Sequence, residues 1–572
     1  MRADRSGNRK RFIAAPWKGF KMPRDKDYQE MIQLRRESLL GAVGYRHEDL
    51  KRPWKAVINA WAEIGPGQFH LRAVAEAAKG GVYLAGGTPA EFMIPGICAS
   101  SSGGAARFKY KFPYRDVAAA LVEIMLGIYD FDGAVLIPSC DDVVPAYLMA
   151  AARADIPAIV VTGGYMEPGI YKGKPIFTNA VQVGYGQYKD GKLSKETLMD
   201  YVHSVCPGPG QCPHFATATT MCSVSEALGM SLPGNATVPA TGGHLLAMAK
   251  RAGQPIMTLV EKKIKPTDIM TRDAFENAIK VVLAMGGSMN AVIHIPAIAR
   301  QCGIRLDMAL WDELSRITPF ICKIRPNLAD YYTAKELGMV GGVPAVMKQL
   351  RPLLQTDVIT INGKSLEENI ETAPEPDGEI IRHLSNPFKK EGGIVVLKGN
   401  LSPEGAVAKQ SAIPEAMMRH EGPAKVFDAE ESAIEAVLDG SIKDGDVIVI
   451  RYQGPKGAPG VHEVIDVMHS VIGKGLGESV AVVTDGRFSG GNFGAAFGHI
   501  SPEAFVGGPI ALVQDGDMIE IDVIGRKLNV NISEAEMTAR MQSWVPPERS
   551  EKSILDIYGR LAGSMGDGAT IL

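Results

Sequence analysis

Disulfide-forming capacity is the first thing the chain lacks. Seven cysteines in 572 residues (Cys98, Cys140, Cys206, Cys212, Cys222, Cys302, Cys322), irregularly spaced, are too few for a disulfide framework and fit reduced thiols in a cytosolic enzyme. All seven precede residue 330, so any thiol chemistry belongs to the N-terminal part. An excess of charge of one sign is also missing. With 61 Lys and Arg against 64 Asp and Glu, the formal net charge of -3 gives no electrostatic reason to expect a nucleic-acid or membrane partner. No window holds the roughly 20 consecutive apolar residues of a transmembrane helix. No apolar core follows the basic start (Arg2, Arg5, Arg9, Lys10, Arg11), so residues 1–34 read as a solvated arm and the expected location is the cytoplasm. No repeat of 20 to 50 residues is present, which excludes a solenoid. What remains is an ordinary globular composition, 46% hydrophobic and 22% charged, in a chain too long for one core.

Between residues 54 and 350 apolar strands alternate with helical stretches, for example 134–137, 144–154 and 156–162. Such units build a parallel sheet covered by helices, and the expectation is an α/β domain over 35–361. Residues 271–284 read as one of its helices, with Thr271 as cap and Gly286-Gly287 as its end. Residues 362–393 are polar and contain Pro374, Pro376 and Pro387, the composition of a linker. Short strands are expected at 394–398, 446–452, 479–484, 509–513, 518–523 and 528–532. They predict a smaller β-rich barrel or sandwich over 394–572.

Two strand ends stand out. The apolar run 479–483 leads into TDGRFSGG (484–491), a glycine-rich turn presenting Arg487 and Ser489. The glycines could form a plain tight turn, but their placement around Ser489 favours a pocket for a carboxylate or oxyanion, formed with Arg487 and Gly490. The run 131–139 delivers Cys140, Asp141 and Asp142. Carboxylates there can simply begin a helix, yet two of them beside a thiol suggest a metal site.

Taken with GGTPAEF (86–92), GNLSPEGA (399–406), GPKGAPG (454–460) and GHISPEA (498–504), these segments make the chain resemble the dihydroxy-acid and sugar-acid dehydratases, a family that includes phosphogluconate dehydratase, over residues 35 to 535. The resemblance implies a hydro-lyase that converts a 2,3-dihydroxy or polyhydroxy carboxylate into a 2-keto-3-deoxy acid. It implies an iron-sulfur cluster on three cysteines and a nearby Mg2+ or other divalent cation. Carried over residue by residue, Ser489 is the base, Glu91, Asp141 and Glu463 hold the divalent cation, and Cys140 and Cys212 hold the cluster. Hard carboxylate oxygens suit Mg2+ and soft thiolates suit iron. Partners follow likewise: a small hydroxy acid, and a second copy in a homodimer or dimer of dimers with the site between the two domains.

The chain departs from the family around these positions. Gly67 stands where the family has its first cluster cysteine, so the usual three-thiolate set is one ligand short. Asp142 replaces a lysine that the family can carbamylate, which makes Asp142 a further candidate metal ligand. Ala99 falls where relatives carry an acidic residue, and Gln453 where many carry Glu. Cys98 and His70 are candidates to replace the missing ligand, although packing roles are the simpler reading of both. Three alternatives to an iron-sulfur dehydratase therefore stand: a cluster-free dehydratase using the divalent cation, a homologue with a changed reaction, and a non-catalytic regulatory or binding paralogue.

Overall fold

The computed structural model describes residues 26–572 except 103, 329, 330, 492 and 549–551, so most of the expected N-terminal arm lies outside the described residues. Lys26–Gly41 form a helix with no buried residue. Among the described residues no helix is long and apolar enough to cross a membrane.

The N-terminal unit is built on four parallel strands, β1 (Trp54–Asn59), β2 (Thr88–Met93), β3 (Gly133–Ile137) and β4 (Ala158–Val160), in the order β2-β1-β3-β4. Every residue of β1 and β3 is buried, because helices cover the sheet, and this explains why β3 reads as an unbroken apolar run, while β1 carries Lys55 and Asn59 as buried polar residues. The helices that matter for the site are α1 (Leu71–Leu84), α2 (Lys111–Ile128), α3 (Val143–Ala154), α4 (Thr217–Ala227), α5 (Arg272–Met285) and α6 (Ala291–Gln301). Helix α5 matches its sequence signals. Thr271 Oγ1 accepts from the Ala274 amide at 3.3 Å, and Gly286 ends the helix at φ +63°.

The C-terminal unit is a nearly closed, eight-stranded mixed sheet: β5 (Val395–Leu397), β6 (Gly405–Ala408), β7 (Arg419–Phe427), β8 (Val447–Ile450), β9 (Ala481–Thr484), β10 (Ala496–Ser501), β11 (Met518–Asp522) and β12 (Lys527–Val530). The order is β12-β11-β7-β8-β9-β10-β6-β5, and a bridge between Lys398 and Lys527 brings the two edges together. Three strands, β6, β7 and β10, were not evident in the sequence. Strand β7 (RHEGPAKVF) shows why: Gly422 and Pro423 break its alternation. The strand expected at 509–513 is instead a 3-10 turn, Pro509–Leu512. Its proline has no N–H to give a ladder.

The expected linker lies along the N-terminal unit. Its residues 366–371 form a helix capped by Ser365, and the Lys323 amide donates to Ile380 O at 2.9 Å. The chain also returns to that unit after the barrel. Helix α7 (Ile554–Leu561) and the residues beyond it pack on α2, joining Tyr558 and Met565 to Phe112 and Ile293 in one apolar cluster. Buried Arg115 of α2 donates to Gly568 O at 2.9 Å and Ala569 O at 3.0 Å, while the Ile571 amide donates to Asp116 Oδ2 at 2.7 Å.

Candidate functional site

The end of β3 turns sharply. Cys140 takes a left-handed backbone (φ +73°), uncommon for a residue with a side chain, and this aims Asp141 and Asp142 at the start of α2. Asp142 occupies the cap position of α3 but makes no capping bond. Its side chain is 1% exposed, and neither oxygen has a hydrogen bond within the described residues. Both aspartates face Lys111, the first residue of α2, whose Nζ lies 3.1 Å from Asp141 Oδ2 and 3.4 Å from Asp142 Oδ2. The third partner comes from the other unit: Glu463 Oε2 lies 2.5 Å from the same Nζ.

Glu463 is held by a short parallel pairing of 463–464 with 487–488, which sets Arg487 behind it. Arg487 is fully buried. Its guanidinium lies 3.3 Å from Glu463 Oε2, its Nε donates to Val461 O at 3.2 Å, and it stacks 4.8 Å from the Phe112 ring. Burial alone would raise the Glu463 carboxyl, but Arg487 and Lys111 overcome it and hold the group down at about 2. For Lys111 burial likewise disfavours the charge, and Asp142, Glu463 and Asp141 together raise its pKa above the usual lysine range. Two cations thus face three carboxylates in a nearly dry pocket.

Of the four expected metal ligands, then, Asp141, Asp142 and Glu463 converge, and they converge on an ammonium. Glu91 at the end of β2 is tied elsewhere, 2.7 Å from Lys79 Nζ and accepting from Asn59 Nδ2 at 3.0 Å. A divalent cation does not fit these residues as they stand. The three-thiolate cluster does not fit either. A Cβ built on Gly67 would run into Cys140 Sγ, which occupies that space and shares a hydrogen bond with Cys98. That bond, against the opposing effect of burial, brings the Cys98 thiol down to about 7. Cys212 lies near enough to Cys98 to interact electrostatically. Among the described residues, however, no group of three or more His, Cys, Asp or Glu side chains is arranged to hold a metal ion. His70 is engaged at 2.5 Å by the Gly163 carbonyl, and Cys222 sits in the core with its Sγ 3.1 Å from Gln211 Oε1.

Ser489 is half-buried on its turn, its Oγ 3.4 Å from the Gly491 amide. The turn docks on the N-terminal unit at Gly490, where an added Cβ would come within 2.6 Å of both Ser288 Cβ and the Thr217 amide nitrogen. Lys409 reaches the same turn from the barrel and donates to Gly490 O at 3.1 Å. It is buried, makes no ion pair among the described residues, and desolvation pushes its pKa down to about 7. Beside it His214 is held neutral, down to about 3, by burial and by the Arg325 and Lys409 charges.

Lys111, Lys409 and His214 were not singled out in the sequence. Lys111 lies in KYKFPY, and only a strand end 30 residues later gives it meaning. The GPKGAPG and GHISPEA segments prove to be braces for each other: Glu503 accepts from the Lys456 amide at 3.0 Å and the Gly457 amide at 2.9 Å.

A family model described as dihydroxy-acid/6-phosphogluconate dehydratase N-terminal matches residues 52–369, and its C-terminal counterpart matches residues 379–569. Dihydroxy-acid dehydratases of Acetivibrio thermocellus and Caldicellulosiruptor saccharolyticus are each 46% identical over 537 residues, covering 93% of this chain and 97% of theirs. The one from Methanothermobacter thermautotrophicus is 46% identical over 535 residues, with the same coverage.

Proposed function

The chain belongs to the dihydroxy-acid/6-phosphogluconate dehydratase family, and on that premise we propose that it dehydrates a 2,3-dihydroxy or polyhydroxy carboxylate, with Ser489 as the base. In the overall reaction C2 loses a proton, the C3 hydroxyl leaves with a proton as water, and the resulting enol becomes a 2-keto-3-deoxy acid. A serine hydroxyl is too weak a base unless its proton has somewhere to go. The observation that supports the reading is Lys409, bound at the carbonyl of the residue after Ser489 and kept near neutrality by burial. Its unprotonated amine accepts the Ser489 proton while the Ser489 oxygen takes the proton from C2. Lys111, Asp141, Asp142, Glu463 and Arg487 form the charged wall of the site.

The functional unit in this reading is a homodimer. In its favour, Val117, Leu121, Ile124 and Ile128 leave an apolar stripe exposed along α2, at 36, 42, 53 and 67%.

The test is 2-keto acid formation from a panel of aldonates and branched 2,3-dihydroxy acids. Ser489→Ala should lower kcat by about 10²–10⁴-fold. The wild-type kcat/KM should rise as pH increases through about 7, where Lys409 loses its proton, and Lys409→Met should remove that limb. Turnover that survives Ser489→Ala overturns the reading.

A further inference from the structure

We infer that the Lys111 ammonium is the resident cation of the Asp141, Asp142 and Glu463 pocket, standing where a divalent metal ion would be expected in the family. The inference rests on the dehydratase reading only for that expectation. The geometry is its own argument. An ammonium has three N–H groups and here faces three carboxylates, at 3.1, 3.4 and 2.5 Å. A Mg2+ ion demands an octahedron of oxygens at about 2.0–2.1 Å, and it retains several waters. An Nζ already in contact with all three side chains leaves no place for such a shell.

Electrostatics points the same way. Arg487, fully buried 3.3 Å from Glu463, already supplies a second positive charge, so an incoming dication would meet two fixed cations. The carboxylate that depends most on the ammonium is Asp142. It is buried and has no hydrogen bond within the described residues, and His294, 3.8 Å away, is kept neutral by burial and the neighbouring cations, which leaves Lys111 to compensate its charge. The lysine cannot easily withdraw, because α2 is fastened at Arg115 and Asp116 to residues 568–571. Glu91, the remaining expected ligand, is satisfied by Lys79.

The experiment is binding of Mn2+, as a spectroscopic stand-in for Mg2+, to the full-length protein after chelator treatment and without substrate. Electron paramagnetic resonance and metal analysis should find no bound Mn2+ on the wild type at millimolar metal. Lys111→Met removes the charge and keeps the stem. It should bind a single Mn2+, and its melting temperature should rise on adding Mn2+ or Mg2+ while the wild type does not move. A wild type that holds one Mn2+ per chain overturns the inference, as does a folded Lys111→Met that binds none. If Lys111→Met does not fold, the wild-type titration decides alone. Because the readout is metal binding without turnover, its outcome is independent of whether Ser489 is the base.

Discussion

Gln453 sits where the resemblance expects a glutamate, and its surroundings select the amide. Nε2 donates to Asp428 O at 3.0 Å and to Arg451 O at 2.7 Å, and the side chain is buried. A carboxylate there would face two carbonyl oxygens and have nothing to donate. Gln453→Glu should therefore destabilise the protein by about 2 kcal/mol, seen as a lower urea midpoint with an unchanged slope. The surroundings of Gly67 and Asp142 are different: Cys140 Sγ takes the space beside Gly67, and Asp142 has an ammonium partner. Asp141 and Asp142 could be singled out in the sequence because they follow an apolar strand, but Lys111 could not, since it belongs to no motif and acts through partners 30 and 352 residues away.

At the level of elements, the Ser489 turn owes its position to Gly490. Any side chain at 490 meets Ser288 and the first turn of α4, so Gly490→Ala should push the turn off its seat. Since a misplacement of about 1 Å can cost about 10²-fold in rate, kcat should fall on that order while the far-ultraviolet circular dichroism stays unchanged. Elements with strong local signals were legible in advance: α5 with its Thr cap and Gly stop, β3 and β9 as apolar runs, the turn at 484–491. Those that escaped were shaped by distant partners. Strand β7 carries Gly422 and Pro423 and is stabilised between β8 and β11, which overrides its poor propensity. The apolar segment 509–513 reads as a strand by hydrophobicity, but it begins with a proline and folds as a 3-10 turn.

For the whole molecule, the division into a parallel α/β unit and a barrel was visible in the change from strand-helix alternation to short strands. How the two meet was not, because Lys111 to Glu463 and Gly490 to Ser288 are long-range contacts between segments with no common pattern. The exposed stripe on α2 makes a prediction at this scale. If the proposed homodimer forms through this stripe, Ile124→Asp, which places a charge in its middle, should shift the protein from dimer to monomer in light scattering, with the secondary structure retained.

The fastening of α2 by residues 568–571 also sets a schedule. Arg115 emerges from the ribosome 453 positions before its acceptor Gly568, and Lys111 emerges 352 positions before Glu463. At synthesis rates of roughly 5–20 residues per second, Lys111 waits about 20–70 s for its third carboxylate, and α2 about 20–90 s for its clasp. For that interval the nascent N-terminal half carries a partly built charged pocket and an unlatched helix. The site therefore cannot be complete until segments hundreds of residues beyond α2 have been made.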